Sequence, residues 1–392
     1  MKLLHTADWH IGRTLNGFSL LDEQQAIFQQ ILQIAETEQV DGIVIAGDIY
    51  DRGVPSTSAV TALNQMLTSL NLEHHFPIYA VSGNHDSAER LNYGRDWLAT
   101  QGFHLNTRLA DAFQPIETPT TQIFLLPFFD PMDARAYYAK QGVDEETVKA
   151  IHSISDAMVR VVADMQAHFD PDKRHLLVTH FAVTPSGANP EELTSETTSK
   201  VGGLATLSTQ QFNCFDYVML GHIHTRNASP DRERMRYAGS PVKFNVKEAN
   251  EQKGVDIVTI TADQVTHTFK PLQPQTDLVA LKAPWEQLTD PDFYDQQPRK
   301  QAWFAITIQD FDRSQHLNVR AQLQKIYGTV VELDYEDHHR PTATSRARRQ
   351  IATLSPDEIV NAFFETVTGK DLSAEQAQLV DQIFTKLSKE HA

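Results

Sequence analysis

The stretch Ile78-Tyr79-Ala80-Val81-Ser82-Gly83-Asn84-His85-Asp86 sets a short apolar run directly against a glycine, an amide, an imidazole and a carboxylate. The run Ile78–Ser82 reads as a buried strand. Side-chain packing does not explain four such groups in that order at its end. Asn84 offers a hard, neutral oxygen to a cation, His85 can reach a substrate without ligating metal, and Asp86 is placed to orient the His85 ring. In open α/β sheets, sites collect just beyond strand ends.

The same arrangement recurs along the chain. Lys2–His5 leads into Asp8-Trp9-His10, where alternate residues leaving a strand point the same way and bring a carboxylate and an imidazole to one ion. Gly42–Ala46 leads into Gly47-Asp48, with Ile49-Tyr50-Asp51 after it; a carboxylate can bridge two cations, and the glycine permits a tight turn. Leu176–Thr179 leads into His180, and Tyr217–Leu220 into Gly221-His222-Ile223-His224. Taken singly, Asp48 also reads as a helix cap and His180 as a structural histidine; the combination of five clusters gives them their chemistry. His5, His74, His75, His104, His152, His168 and His175 fall outside the pattern and read as surface or core residues.

Between these strands, Asp22–Glu38, Ser56–Leu70 and Glu146–His168 carry helix-spaced apolar residues, so the first part of the chain reads as layered α/β. The prolines of Lys270–Gln275 suit a connector, and a domain boundary is expected there. Beyond it, a strand Trp303–Ile308, a helix His316–Tyr327 ending near Gly328 and a strand Val330–Tyr335 form a small β-α-β cap. The tail opens a helix with Ser355, Pro356 and Glu358, stops it near Gly369 and begins another near Ser373. Stripes from Ile359 to Val367 and from Leu379 to Leu387 pack on each other and the cap, or dock on a partner. The expected division is 1–270, 276–338 and 339–392.

Composition bounds the function. With 392 residues, 41% of them hydrophobic, the chain exceeds one core. No apolar run approaches the ~20 residues of a membrane span, and the start lacks a signal-peptide pattern; a soluble, cytoplasmic protein is expected. Cys214 is the only cysteine, so metal must sit on His, Asp, Asn or Glu. The net charge of −17 argues against an autonomous high-affinity nucleic-acid binder, unless a partner supplies the affinity or bound cations invert the local field. The basic stretch Arg340, Arg346, Arg348 and Arg349 reads equally as a phosphate contact or a solvated linker, and Arg13, Arg52 and Arg90 lie near the metal clusters.

The ordered set Asp-x-His, Gly-Asp, Gly-Asn-His-Asp, His, Gly-His-x-His resembles the signature of the calcineurin-like metallophosphoesterases. The stretches Leu4-His5-Thr6-Ala7-Asp8-Trp9-His10-Ile11-Gly12, Gly47-Asp48-Ile49-Tyr50-Asp51 and Tyr237-Ala238-Gly239-Ser240-Pro241 are further similar to the SbcD nuclease subunits of bacterial double-strand-break processing complexes. The resemblance implies a metallophosphoesterase β-sandwich flanked by helices, a small cap and a helical tail. It implies two divalent ions, manganese, one held by Asp8, His10, Asp48 and His224, the other by Asp48, Asn84, His180 and His222. Two such ions ~3.5–4 Å apart clamp a phosphodiester and generate hydroxide, with His85 as proton donor to the leaving 3′ oxygen and Asp86 holding it. Its implied substrates are double-stranded and hairpin DNA, cut as a 3′–5′ exonuclease and hairpin endonuclease. Its implied assembly is a homodimer with SbcC, an SMC-type ATPase, in a heterotetramer. The mixed N and O donors by themselves suit manganese, iron or zinc. A stand-alone small-nucleotide phosphodiesterase and a metal-free scaffold are the alternative readings.

Overall fold

A computed structural model describes residues 1–185, 206–311, 316–336, 360, 372–373 and 376–380. The expected tail helices and the Arg340–Arg349 stretch lie essentially outside the described residues. Residues Met1–Glu336 form one compact unit.

Two sheets make the centre of that unit. The first has six strands, in the order Val265–Pro271, Gly254–Ile260, Lys2–Thr6, Gly42–Ala46, Ile78–Val81 and Phe103–Asn106. Lys2–Thr6 runs parallel to Gly42–Ala46 and antiparallel to Gly254–Ile260, with Lys2 opposite Thr259. The second has five strands, in the order Met235–Tyr237, Tyr217–Leu220, Arg174–Thr179, Thr121–Leu126 and Ile116–Glu117.

The period of two in each strand builds the layers. Leu3, Val44, Ala46, Tyr79 and Val81 of the first sheet meet Ile123, Leu125, Leu176, Val178, Tyr217 and Met219 of the second in one buried cluster. Leu4, Ile43, Ile45 and Ile78 point outward, under helices Leu21–Glu38 and Thr57–Thr68, and bury Ile27, Ile31, Leu63 and Met66. Phe124, Leu126, Leu177, Val218 and Leu220 do the same for Tyr138 of Pro131–Lys140 and for Met158, Val161 and Met165 of Ile154–Gln166. Each such side chain contributes ~1.5–3 kcal/mol on leaving water. The result is the expected helix-flanked sandwich.

Three expectations of local structure need correction. The helix expected over Glu146–His168 is broken into Glu145–Lys149 and Ile154–Gln166, because Ser153 caps the second helix, its side chain accepting from Asp156 N while the Asp156 carboxylate accepts from Ser153 N. Lys270 and Pro271 are not connector but the end of a strand, with Pro271 opposite Gly254. That strand is at the sheet edge, where proline's missing N–H is tolerated. The cap gains a strand: Asp277–Pro284, Ala302–Gln309 and Thr329–Tyr335 form a parallel sheet in that order, with helix Val319–Tyr327 before the last. Leu272–Thr276 is the actual link, tied to the first helix by Glu23, whose carboxylate accepts from Gln275 N and Thr276 N.

Candidate metal centre

All five sequence clusters leave the same end of the sandwich. Asp8 and His10 follow Lys2–Thr6, Asp48 follows Gly42–Ala46, Asn84 follows Ile78–Val81, His180 follows Arg174–Thr179, and His222 and His224 follow Tyr217–Leu220. The turns are held backbone to backbone: Asp8 N donates to Gly47 O at 3.0 Å and His10 N to Asp48 O at 2.9 Å.

Four of these residues occupy the left-handed backbone region: Asp8 (φ 52°), His10 (φ 43°), Asp48 (φ 48°) and His222 (φ 88°). Such conformations cost ~1–3 kcal/mol each in a non-glycine residue and collect at functional sites. Gly47, at φ 88°, makes the sharp turn ahead of Asp48 and leaves room for the His180 ring. Gly83 lies so close to the Asp48 carboxylate that a side chain there would occupy its place.

Six of the seven expected donor residues converge around the seventh, Asp48. Its Oδ2 lies 3.5 Å from His10 Nε2 and 3.2 Å from His180 Nε2. On one side His10 Nε2 and His224 Nε2 are 3.1 Å apart, with Asp8 Oδ1 4.0 Å from His224 Nε2. On the other, Asn84 Oδ1 is 3.2 Å from His180 Nε2 and 2.9 Å from His222 Nδ1. Asp8, His10, Asp48, His180 and His224 are buried, whereas Asn84, His85 and His222 are half-buried. The centre therefore opens on the Asn84–His85–His222 side.

The electrostatics suit cations. Burial pushes the Asp8 carboxyl up to about 6, against the pull of His180 and His224. Burial would also raise Asp48, but His180, His10 and His85 hold it well below the usual carboxylate range. Burial would lower His180, yet Asp48 and Asp8 keep it at about 9, while burial and its neighbour His180 bring His222 down to about 3. Two buried carboxylates thus compete for positive charge among imidazoles that burial disfavours as cations. The orientation of His180 fits a ligand: Nδ1 donates to Ala46 O at 2.7 Å, which turns Nε2, where a bound cation would replace the proton, toward Asp48 and Asn84. Nitrogen and oxygen donors without sulfur, clustered at this spacing, fit divalent metal.

The two expected catalytic residues sit differently from each other. His85 N donates to Asp48 Oδ1 at 2.8 Å, its Nδ1 donates to Asp51 O at 2.9 Å, and its ring stands edge-on to His10 at 4.8 Å. Asp86 does not orient that ring, as adjacency in sequence suggests. Its carboxylate instead accepts from Ile49 N, Tyr50 N and Gly83 N at 3.1, 2.9 and 2.9 Å, stitching the Asp48 turn to the Asn84 turn. Burial and Asp48 raise the Asp86 carboxyl to about 7 against these donors.

Gln24 escapes the sequence reading, and Asp51, quoted there without a role, acquires one. Gln24, buried on the first helix, donates to Trp9 O and His10 O at 3.0 and 2.8 Å and accepts from Gly12 N at 3.0 Å, fixing the turn that carries His10. Asp51 faces Arg13 at 3.5 Å and His10 Nδ1 at 3.9 Å. Of the three arginines near the clusters, Arg13 also lies over the Phe244 ring, whereas Arg52 and Arg90 are exposed. His5 is fully buried and takes no part in the centre; burial, then Arg236, lowers its pKa to about 3.

Comparison with known proteins gives concordant results. A family model described as calcineurin-like phosphoesterase matches residues 1–226, and one described as type 5 capsule protein repressor C-terminal domain matches 274–368. The chain is 31% identical over 390 residues to the SbcD subunit of nuclease SbcCD from Staphylococcus saprophyticus, covering 100% of this chain and 99% of that protein. It is 30% identical over 388 residues to the protein of the same name from Staphylococcus epidermidis, covering 98% of each.

Proposed function

Because the chain belongs to the calcineurin-like phosphoesterase family and, over its whole length, to the family of SbcD nuclease subunits, we propose that it is a metal-dependent phosphodiesterase that cuts DNA. The observation that carries this reading is the convergence of six nitrogen- and oxygen-donor residues around a seventh, Asp48. Asp8, His10, Asp48 and His224 would hold one divalent ion, and Asp48, Asn84, His180 and His222 the other, with manganese as the metal. When bound, two such ions clamp a phosphodiester and lower the pKa of attacking water.

The chain's own residues do the rest. Asp48 bridges the two donor sets, and the half-open face at Asn84, His85 and His222 admits the phosphate. Asp51 O accepts from the Nδ1–H of His85, so His85 Nε2 is the nitrogen that meets the substrate, and with a proton on each ring nitrogen the ring gives the one on Nε2 to the leaving 3′ oxygen and keeps the one on Nδ1. Asp86 holds the two turns in register.

The substrates we propose are double-stranded ends, degraded 3′ to 5′, and hairpins, opened endonucleolytically. With a net charge of −17, the chain would take much of its DNA affinity from a partner, an SMC-like ATPase of the SbcC type, in the cytoplasm. Among the described residues no helix is long and apolar enough to cross a membrane. Val60, Leu72, Tyr93 and Trp97 are exposed beside Tyr50 and Arg52 around one apolar groove, and this face supports a pairing of two copies within a heterotetramer. The proposed division is a nuclease domain over 1–270, a cap over 276–338 and a partner-docking segment over 339–392.

The test compares the native chain with His85→Ala on a labelled duplex and a labelled hairpin in Mn2+. Mn2+-dependent cleavage that falls by about 10²–10⁴-fold in a variant still binding two ions supports the reading. Equal cleavage by both forms sinks the role of His85, and cleavage of cyclic nucleotides with neither DNA cut, even with the ATPase added, sinks the substrate.

A further inference from the structure

Each of the three histidines that turn Nε2 inward has an oxygen behind its Nδ1. For His180 it is the Ala46 carbonyl at 2.7 Å, and for His10 the Asp51 carboxylate at 3.9 Å. For His224 it is Glu248 Oε1, at 3.6 Å. Glu248 is 0% exposed, on a short turn 24 residues beyond His224 and outside every metal motif.

The surroundings divide its two oxygens. Oε2 receives Lys253 Nζ at 2.7 Å, Phe244 N at 3.2 Å and Ser240 Oγ at 3.5 Å. Oε1 faces His224 Nδ1. Lys253 Nζ also donates to His224 O at 3.0 Å, so one buried ammonium grips both the carboxylate and the backbone of the histidine it addresses. Phe244, from the same loop, stands edge-on to His10 and His224 at 5.3 and 5.6 Å. A fully buried ion pair adds little net stability over an apolar pair of similar size. Its placement directly behind a ligating ring is what the arrangement provides.

We propose that Glu248 is the positioning residue of His224, its Oε1 facing the Nδ1–H and keeping the hydrogen on that nitrogen so that the Nε2 lone pair faces Asp8 and His10, with Lys253 locking the carboxylate in place. The assignment rests on reading the centre as a metal site. It makes the 240–253 loop the outer wall of one ion position, and it predicts unequal consequences for the two ions. Partners of this kind change metal affinity by about 10- to 100-fold.

The test uses the full chain, stripped of metal and titrated calorimetrically with Mn2+, as the native protein, Glu248→Gln, and Glu248→Gln with Lys253→Met, the last avoiding a stranded buried ammonium. The expected result is one of two ions weakened about 10- to 100-fold with the other unchanged. General loosening would weaken both together and overturn the assignment, as would two native affinities in either folded variant. If neither variant folds, 15N spectra of the native histidine rings decide, with His224 identified by its loss in His224→Gln. A proton on Nδ1 in the metal-free chain supports the proposal and a proton on Nε2 overturns it. A native chain that takes up no Mn2+ removes the metal reading itself, an outcome distinct from selective failure in the variants.

Discussion

Replacing Gly83 by alanine tests how tightly the centre is built. The added methyl would fall inside van der Waals contact of Asp48 Oδ1, Cγ and backbone N. Non-bonded carbon contacts settle near ~3.5 Å, so one side must retreat by about 1 Å. Asp48 cannot yield freely: Oδ1 accepts from His85 N at 2.8 Å and its carbonyl from His10 N at 2.9 Å. The Gly83 turn is held by its own N–H to Asp86 Oδ2 at 2.9 Å. A misplacement of ~1 Å at catalytic groups costs about 10²-fold in rate, while overpacking costs the fold only ~1–3 kcal/mol. Gly53→Ala is the control, since a methyl there meets Ser87 Cβ at an ordinary 3.5 Å. Initial rates on an end-labelled duplex, Mn2+ titration and urea unfolding are compared across the three proteins. The expectation is a folded Gly83→Ala protein with a large loss of rate and weakened Mn2+ binding, and a Gly53→Ala protein like the native one. A Gly83→Ala protein with native rate and native Mn2+ affinity refutes the packing argument.

Gln24→Ala strands Trp9 O, His10 O and Gly12 N in a buried turn, and is expected to cost ~2–4 kcal/mol; faster amide exchange over residues 9–13 checks it, and unchanged protection argues against it. Stripping divalent metal is expected to lower thermal stability, because an ion at 100 times its Kd stabilises the folded state by about 2.7 kcal/mol; a melting midpoint indifferent to saturating Mn2+ contradicts the metal centre. Trp97→Glu places a charge on the exposed apolar face with Tyr93 and Val60. Light scattering should show the paired species lost, and an undisturbed dimer would place the interface elsewhere.

Which parts of the site are legible in the sequence follows from distance along the chain. Donors such as Asp8 and His10, or His222 and His224, come in local pairs just past apolar runs, and parallel strands gather all such ends on one side. Gln24 and Glu248 reach the site only through tertiary packing, and neither has a neighbouring motif to mark it. Asp86 misleads because its partners are backbone N–H groups of Ile49, Tyr50 and Gly83, which carry no side-chain signature. The helix break at Ser153 is hidden for a related reason: Ile151 and Ile154 keep an apolar rhythm across residues that are not helical. Pro271 reads as a connector because sequence does not tell an edge strand from a central one.

The place of Lys2–Thr6 has a consequence for synthesis. One of its neighbours, Gly42–Ala46, is made almost at once, but the other, Gly254–Ile260, leaves the ribosome some 250 residues later, a wait of roughly 12–50 s at ordinary rates of translation. Throughout that interval a bare strand edge of Leu3, Leu4 and His5 is in search of a partner. The nascent chain is thus most prone to mispairing through the very strand that delivers Asp8 and His10, and slowing or pausing translation before residue 254 should raise the yield of aggregated chains.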